Sequence, residues 1–186
     1  MMANGCLSIG LGGGNPKQSK MVTAIAAEIA AKHINQVFTD VGATRAIAKL
    51  KDVHINTMVA PSGEVGKVVI SIGPTASACA DKAIVPVDTA IAMIKDMGGD
   101  AIKFFPMKGL SAKDEFEAVA KACARNNLIL EPTGGLDLDN LEEVLTIALE
   151  AGVQKIVPHV YSSIIDPETG ATRVEDVRAI MDISRK

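Results

Sequence analysis

A lysine set inside an apolar run is the residue of this chain with the most chemistry to offer. Lys103 stands in Ile102-Lys103-Phe104-Phe105-Pro106, close to the C-terminal end of the run, and in α/β folds that end of a strand is where ligands bind. Apolar walls disfavour the ammonium form and lower the amine pKa. The neutral amine then adds to a ketone, loses water and leaves an iminium. The plainer alternatives are a snorkelling stem or an ion pair with a carboxylate.

Three further segments hold candidate groups. Glu131-Pro132-Thr133-Gly134-Gly135 closes the next apolar run and precedes a helix. Paired glycines there let backbone N–H groups approach an anion, and a helix N-terminus adds its dipole. Glu131 points at the same mouth, as a proton shuttle or as the partner of a nearby lysine. Val157-Pro158-His159-Val160-Tyr161-Ser162-Ser163 ends the last run, and His159, Ser162 and Ser163 are candidate donors to a phosphate or hydroxyl. Gly10-Leu11-Gly12-Gly13-Gly14 follows the first run, but Asn15 stands where a dinucleotide fingerprint needs its third glycine. Gly12 is therefore expected at the rim of another kind of site. Asp137 and Asp139 suit helix capping better than a metal pair. His33 and His54 are scattered along the chain, so no metal set is expected.

The elements that must position these residues alternate. Apolar runs at Cys6–Leu11, Ile34–Thr39, His54–Ala60, Ala101–Phe105, Leu128–Glu131 and Lys155–His159 read as six principal strands. Between them fall helical patterns. One begins at Pro16 with a stripe through Met21, Ile25 and Ile29, and a short one covers Ala43–Leu50. Another runs from about Pro86 to Met97 with Val87, Ile91 and Ile94 on one face, stopped by Gly98-Gly99. Ser111 with Asp114 reads as a capping box for a helix carrying Phe116, Val119 and Cys123. A helix through Leu138, Leu141, Leu145 and Ala148 runs to Gly152, and Val174–Ile183 is the last. Pro61-Ser62-Gly63 predicts a turn, with Lys67–Ile72 as a hairpin arm. Such alternation predicts right-handed βαβ units and a parallel sheet, either open and doubly wound or closed into a barrel.

Bulk properties narrow the partners. With 186 residues the chain suits one domain. A net charge of −3, aromatics at 3% and no Trp argue against nucleic acid. Cys6, Cys79 and Cys123 form no C-x-x-C pair, which suggests small buried hydrophobes in a reducing cytoplasm. Met1-Met2-Ala3-Asn4-Gly5 shows no secretory leader, and no apolar run approaches the roughly 20 residues of a membrane span.

Lys103-Phe104-Phe105-Pro106 followed after one helix by Pro132-Thr133-Gly134-Gly135 resembles the paired motifs of 2-keto-3-deoxy-6-phosphogluconate aldolases. Ser8 to Gly12, Asp96 to Gly99, Glu117 to Cys123 and Pro158 to Asp166 extend the similarity to one bacterial branch, also known as 4-hydroxy-2-oxoglutarate aldolases. The resemblance implies a TIM-type (β/α)8 barrel, a Schiff base on Lys103, no metal or cofactor, and cleavage of a phosphorylated keto acid to pyruvate and glyceraldehyde 3-phosphate. It also implies that the Pro132-Thr133-Gly134-Gly135 turn lies beside the bound substrate. With that chemistry Glu131, directly or through a water, is the expected base, Thr133 is expected at the keto-acid end, and Gly134, Gly135 and Ser162 or Ser163 on the phosphate. Members of that branch begin with a further strand, helix and strand, so residues 1–186 are expected to form a single, partial barrel lacking its first two strands. Exposed edges then predict a homo-oligomer, and an inactive phosphosugar-binding protein is the rival expectation.

Overall fold

The computed structural model describes residues 6–185; residues 1–5, where no leader was expected, lie outside the described residues. The chain lays down β1 (Ser8–Ile9), α1 (Ser19–Glu28), β2 (His33–Val37), α2 (Val41–Ile47), β3 (His54–Pro61), β4 (Lys67–Val69), β5 (Ile84–Pro86), α3 (Val87–Asp96), β6 (Ala101–Phe104), α4 (Lys113–Asn126), β7 (Ile129–Pro132), α5 (Leu141–Glu150) and α6 (Val174–Ile183). Strands β1, β2, β3, β6 and β7 pair in parallel in that order. Strand β4 adds antiparallel to β3, and β5 antiparallel to β4, giving a mixed seven-stranded sheet. The hairpin expected at 67–72 thus gains a further arm, β5, on its way into α3.

The last expected strand, Lys155–His159, runs beside β7 only as isolated bridges, Ile156 with Leu130 and His159 with Thr133. Val157 and His159 donate to the carbonyls of Leu130 and Pro132. Pro132 and Pro158 have no N–H to complete the ladder. The first strand is likewise shorter than Cys6–Leu11: only Ser8 and Ile9 pair with β2, and a 3-10 helix follows at Gly12–Gly14. Among the described residues, neither β1 nor the 156–159 segment has a second strand neighbour.

Alternation along the strands sorts residues onto two faces. Outward positions pack on the helices. Ile34 and Ile55 meet Val22, Ala26 and Val41. Ile102, Phe104 and Leu130 meet Ile91, Ile94, Phe116, Val119, Leu141 and Val144, with the Phe104 and Phe116 rings stacked at 6.2 Å. Each such side chain contributes roughly 1.5–3 kcal/mol by leaving water. The inward positions include four buried polar side chains, Asn35, Asn56, Lys103 and Glu131.

Two local expectations are corrected. In α1 the most buried apolar residues are Val22 and Ala26; of the expected stripe, Ile25 and Ile29 pack partly buried against the same cluster, while Met21 is 52% exposed. Positions 21-25 and 22-26 run side by side on a helix, and the smaller pair lets α1 lie close to the sheet. The Ser111 capping box does not form. Its hydroxyl donates to Lys108 O at 2.9 Å, and α4 starts later, after Ala112, with Asp114 and Glu115 in its first turn. The stripe Val87, Ile91 and Ile94 is buried as its spacing predicts.

Candidate active site

The concave face of the sheet carries one connected polar network. In register, Asn35 lies beside Asn56, and Lys103 beside Glu131. Lys103 Nζ donates to Asn35 Oδ1 at 2.9 Å, and Asn56 Nδ2 donates to the same oxygen at 2.8 Å. The Glu131 carboxylate accepts from Asn56 Nδ2, from His33 Nε2 at 3.0 Å and from His159 Nε2 at 2.7 Å. His33 sits on β2, three strands from β7. Neighbouring strands are about 4.8 Å apart, so only a strongly curved sheet lets these two side chains touch. Ser8 Oγ, which receives Asn35 Nδ2, completes the cluster at His33 Nδ1, 2.7 Å away.

This environment sets the charges. Burial pushes the Lys103 amine down, the nearby Glu131 charge pushes it up, and burial prevails at about 8. For Glu131, burial pushes the carboxyl up, but hydrogen bonds from His159 and His33, aided by their charge, outweigh it and hold it at about 2. Burial lowers the His159 imidazole below its usual range, the Glu131 hydrogen bond opposing. At neutral pH this places an ionised carboxylate behind a neutral imidazole and beside a lysine with an appreciable free-amine fraction.

A cavity of about 590 Å³ opens above the lysine at the C-terminal ends of the strands. The glycine turn after β1 forms one wall, through Gly12, Gly13 and Gly14. Thr133, Gly134 and Gly135 form another, and His159, Tyr161 and Ser162 close the side. Of the residues singled out from sequence, Glu131 and Ser163 do not line this space. Glu131 lies beneath it, 1% exposed, and Ser163 Oγ is turned to Leu136 O at 2.7 Å. Thr133 Oγ1 donates to Glu131 O. The Gly12 amide already donates to Gln18 Oε1 at 2.6 Å.

The glycines of the Gly134-Gly135 turn have a packing role as well. Met107 N donates to Thr133 O and Gly109 N to Gly134 O, zipping this turn to the loop after β6. A Cβ on Gly135, at φ +72°, would lie 2.5 Å from Gly109 N. The backbone approach that holds Lys103 and Glu131 in one frame therefore requires glycine there.

Sequence reasoning missed His33, Asn35, Asn56 and Tyr161. A signal was present: the tripeptide His-Ile-Asn occurs at 33–35 and again at 54–56, and the two copies pair in register. Polar residues at period two inside apolar strands mark a polar interior. His33, distant in sequence, is brought with His159 onto Glu131, and their ligating atoms lie within 4.8 Å of one another. Each imidazole is hydrogen-bonded directly to the Glu131 carboxylate between them, an arrangement suited to moving a proton.

The architecture is that of the aldolase-like α/β proteins. It resembles the native KDPGal structure at a TM-score of 0.53 and 14% identity, covering 90% of this chain and 64% of that one. It also resembles the carboxyl transferase domain of Rhizobium etli pyruvate carboxylase with pyruvate, at 0.54 and 14%, covering 96% of this chain and 34% of that one. The KDGP aldolase family model matches residues 1–168. A 2-dehydro-3-deoxy-phosphogluconate aldolase of Salmonella typhimurium is 46% identical over 181 residues, 95% of this chain and 73% of that protein. The chain belongs to the KDGP aldolase family.

Proposed function

We propose that the protein is a class I aldolase that cleaves 2-dehydro-3-deoxy-6-phosphogluconate to pyruvate and glyceraldehyde 3-phosphate through a Schiff base on Lys103. The observation that carries this reading is the burial of Lys103, 7% exposed with its amine lowered to about 8, beneath a cavity in a chain of this family. The amine adds to the C2 ketone, and loss of water gives the iminium. The electron pair of the C3–C4 bond then flows to nitrogen, leaving a pyruvate enamine and an aldehyde. Glu131, expected from sequence as the base, serves as the buried end of the hydrogen-bonded relay through His159. Thr133 lies at the keto-acid end, and the glycine turns at Gly12 and Gly134-Gly135 with Ser162 take the phosphate. Ser163 acts indirectly, by holding the Leu136 carbonyl.

The six parallel runs correspond in this reading to the third to eighth strands of a TIM-type barrel, residues 1–186 forming a single partial (β/α) domain. Among the described residues β1 and 156–159 each have one strand neighbour, and such edges support association with a second copy. No described helix is long and apolar enough to cross a membrane, and cytoplasmic action on a small phosphorylated keto acid fits the family. 4-Hydroxy-2-oxoglutarate is the alternative substrate on the same lysine.

Incubation with pyruvate and borohydride tests the proposal. One reduced pyruvyl group is expected on Lys103 by peptide mapping, and none in Lys103→Arg, which keeps the charge but forms no iminium. Label persisting in that variant would overturn the assignment.

A further inference from the structure

The hydrogen-bonded chain that starts at Glu131 does not stop at His159. His159 Nδ1 lies 2.7 Å from the Tyr161 hydroxyl, with the two rings 5.7 Å apart. An ionised carboxylate only accepts, so His159 Nε2 carries the hydrogen directed at Glu131. A neutral imidazole then has its Nδ1 lone pair free to accept from the phenol. Exposure is graded along the chain: the Glu131 side chain is 1% exposed and that of His159 8%, whereas Tyr161 is 56% exposed. The Tyr161 ring lines the cavity beside Lys103, whose Nζ lies 5.9 Å from its centroid. Tyr161 is thus the member of the relay best placed to meet a substrate bound to the lysine.

We infer that the Tyr161 hydroxyl is the acid–base catalyst of this site, taking the C4 hydroxyl proton during C3–C4 cleavage and returning it to C3 of the enamine. The inference rests on the Schiff-base reading given above. As the C4 hydroxyl passes its proton to the Tyr161 oxygen, the phenolic proton moves to His159 Nδ1. The resulting imidazolium is held by the Glu131 carboxylate. The C4 oxygen electrons form the aldehyde, and the C3–C4 pair neutralises the iminium. After the aldehyde leaves, the same proton returns through Tyr161 to C3, and water releases pyruvate from the lysine. The groups facing Tyr161 fit this cycle. Burial, with the Glu131 charge, raises the phenol so that it remains protonated, while burial keeps His159 neutral.

Tyr161→Phe keeps the ring and removes the hydroxyl, and two readouts separate the steps. Borohydride trapping of pyruvate on Lys103 reports iminium formation. Exchange of the pyruvate methyl protons with deuterated water, followed by proton NMR, reports proton transfer at C3. The expected variant traps pyruvate to the wild-type extent, while methyl exchange and cleavage kcat fall by about 100- to 10,000-fold. Exchange within about threefold of wild type would overturn the role, as would loss of trapping in the variant alone, which would place Tyr161 in iminium formation. Failure of the wild-type protein to trap pyruvate would instead overturn the lysine reading, and this inference with it.

Discussion

Lys103 and Glu131 stand in register on adjacent strands, yet no hydrogen bond or ion pair joins them among the described residues. The amine is held by Asn35, and the carboxylate by His33, His159 and Asn56. A direct ion pair would lock the lysine as an ammonium. Diverting both partners keeps the carboxylate charge near enough to be felt and too well satisfied to capture the proton.

Trapping with pyruvate should therefore depend on pH in a defined sense. With the amine lowered to about 8, about a tenth of it is neutral at pH 7. The trapping rate should rise through pH 8 and level off above it. A rise continuing past pH 10 would mean an unperturbed lysine.

Glu131→Gln removes the charge that raises the Lys103 pKa. Its trapping profile should move to lower pH while methyl exchange slows, because the relay loses its anchor. A shift to higher pH would contradict the electrostatic account.

Stability carries the same signature. A lysine whose folded pKa lies near 8, against its ordinary value of 10.5, binds fewer protons folded than unfolded between those values. Stability should then increase as pH rises through that window, by on the order of 3 kcal/mol in the limit. Lys103→Met should abolish trapping, stabilise the fold at pH 7 and flatten this slope, as followed by urea unfolding. A variant no more stable than wild type at pH 7 would show that the buried amine costs nothing.

Two glycine variants separate packing from binding. Gly135→Ala places a Cβ against Gly109 N in a left-handed conformation and should destabilise by at least about 2 kcal/mol. Gly13→Ala, also at positive φ but with nothing within 4 Å of its Cβ, should lose only about 1–2 kcal/mol. At the cavity wall it should also raise KM for the phosphorylated substrate.

Ser162→Ala and Ser163→Ala should behave differently although the residues are adjacent. Ser162 lines the cavity, so its loss should raise KM with little change in Tm. Ser163 holds Leu136 O, and its loss should lower stability by about 1 kcal/mol. Equal effects on KM would show that both serines meet the substrate.

The sequence by itself determined the alternation of strands and helices, and singled out one lysine inside an apolar run. Apolar runs of strand length separated by helical stripes permit few arrangements, and a cation amid Ile102, Phe104 and Phe105 is costly unless used. Local periodicity also placed Val174–Ile183 correctly and identified the buried face of α3. In α1 it placed Ile25 and Ile29 against the core but not Met21, because two stripes on one helix differ only in what the sheet presents to them. Tertiary structure alone decided what surrounds that lysine. His33, Asn35 and Asn56 reach Glu131 and Lys103 because the sheet curves, and curvature is a property of many strands packed together. Nor does spacing disclose that Ser163 faces a carbonyl while Tyr161 faces the cavity, since that choice depends on the turn following 156–159 and the groups already waiting on the strands beside it.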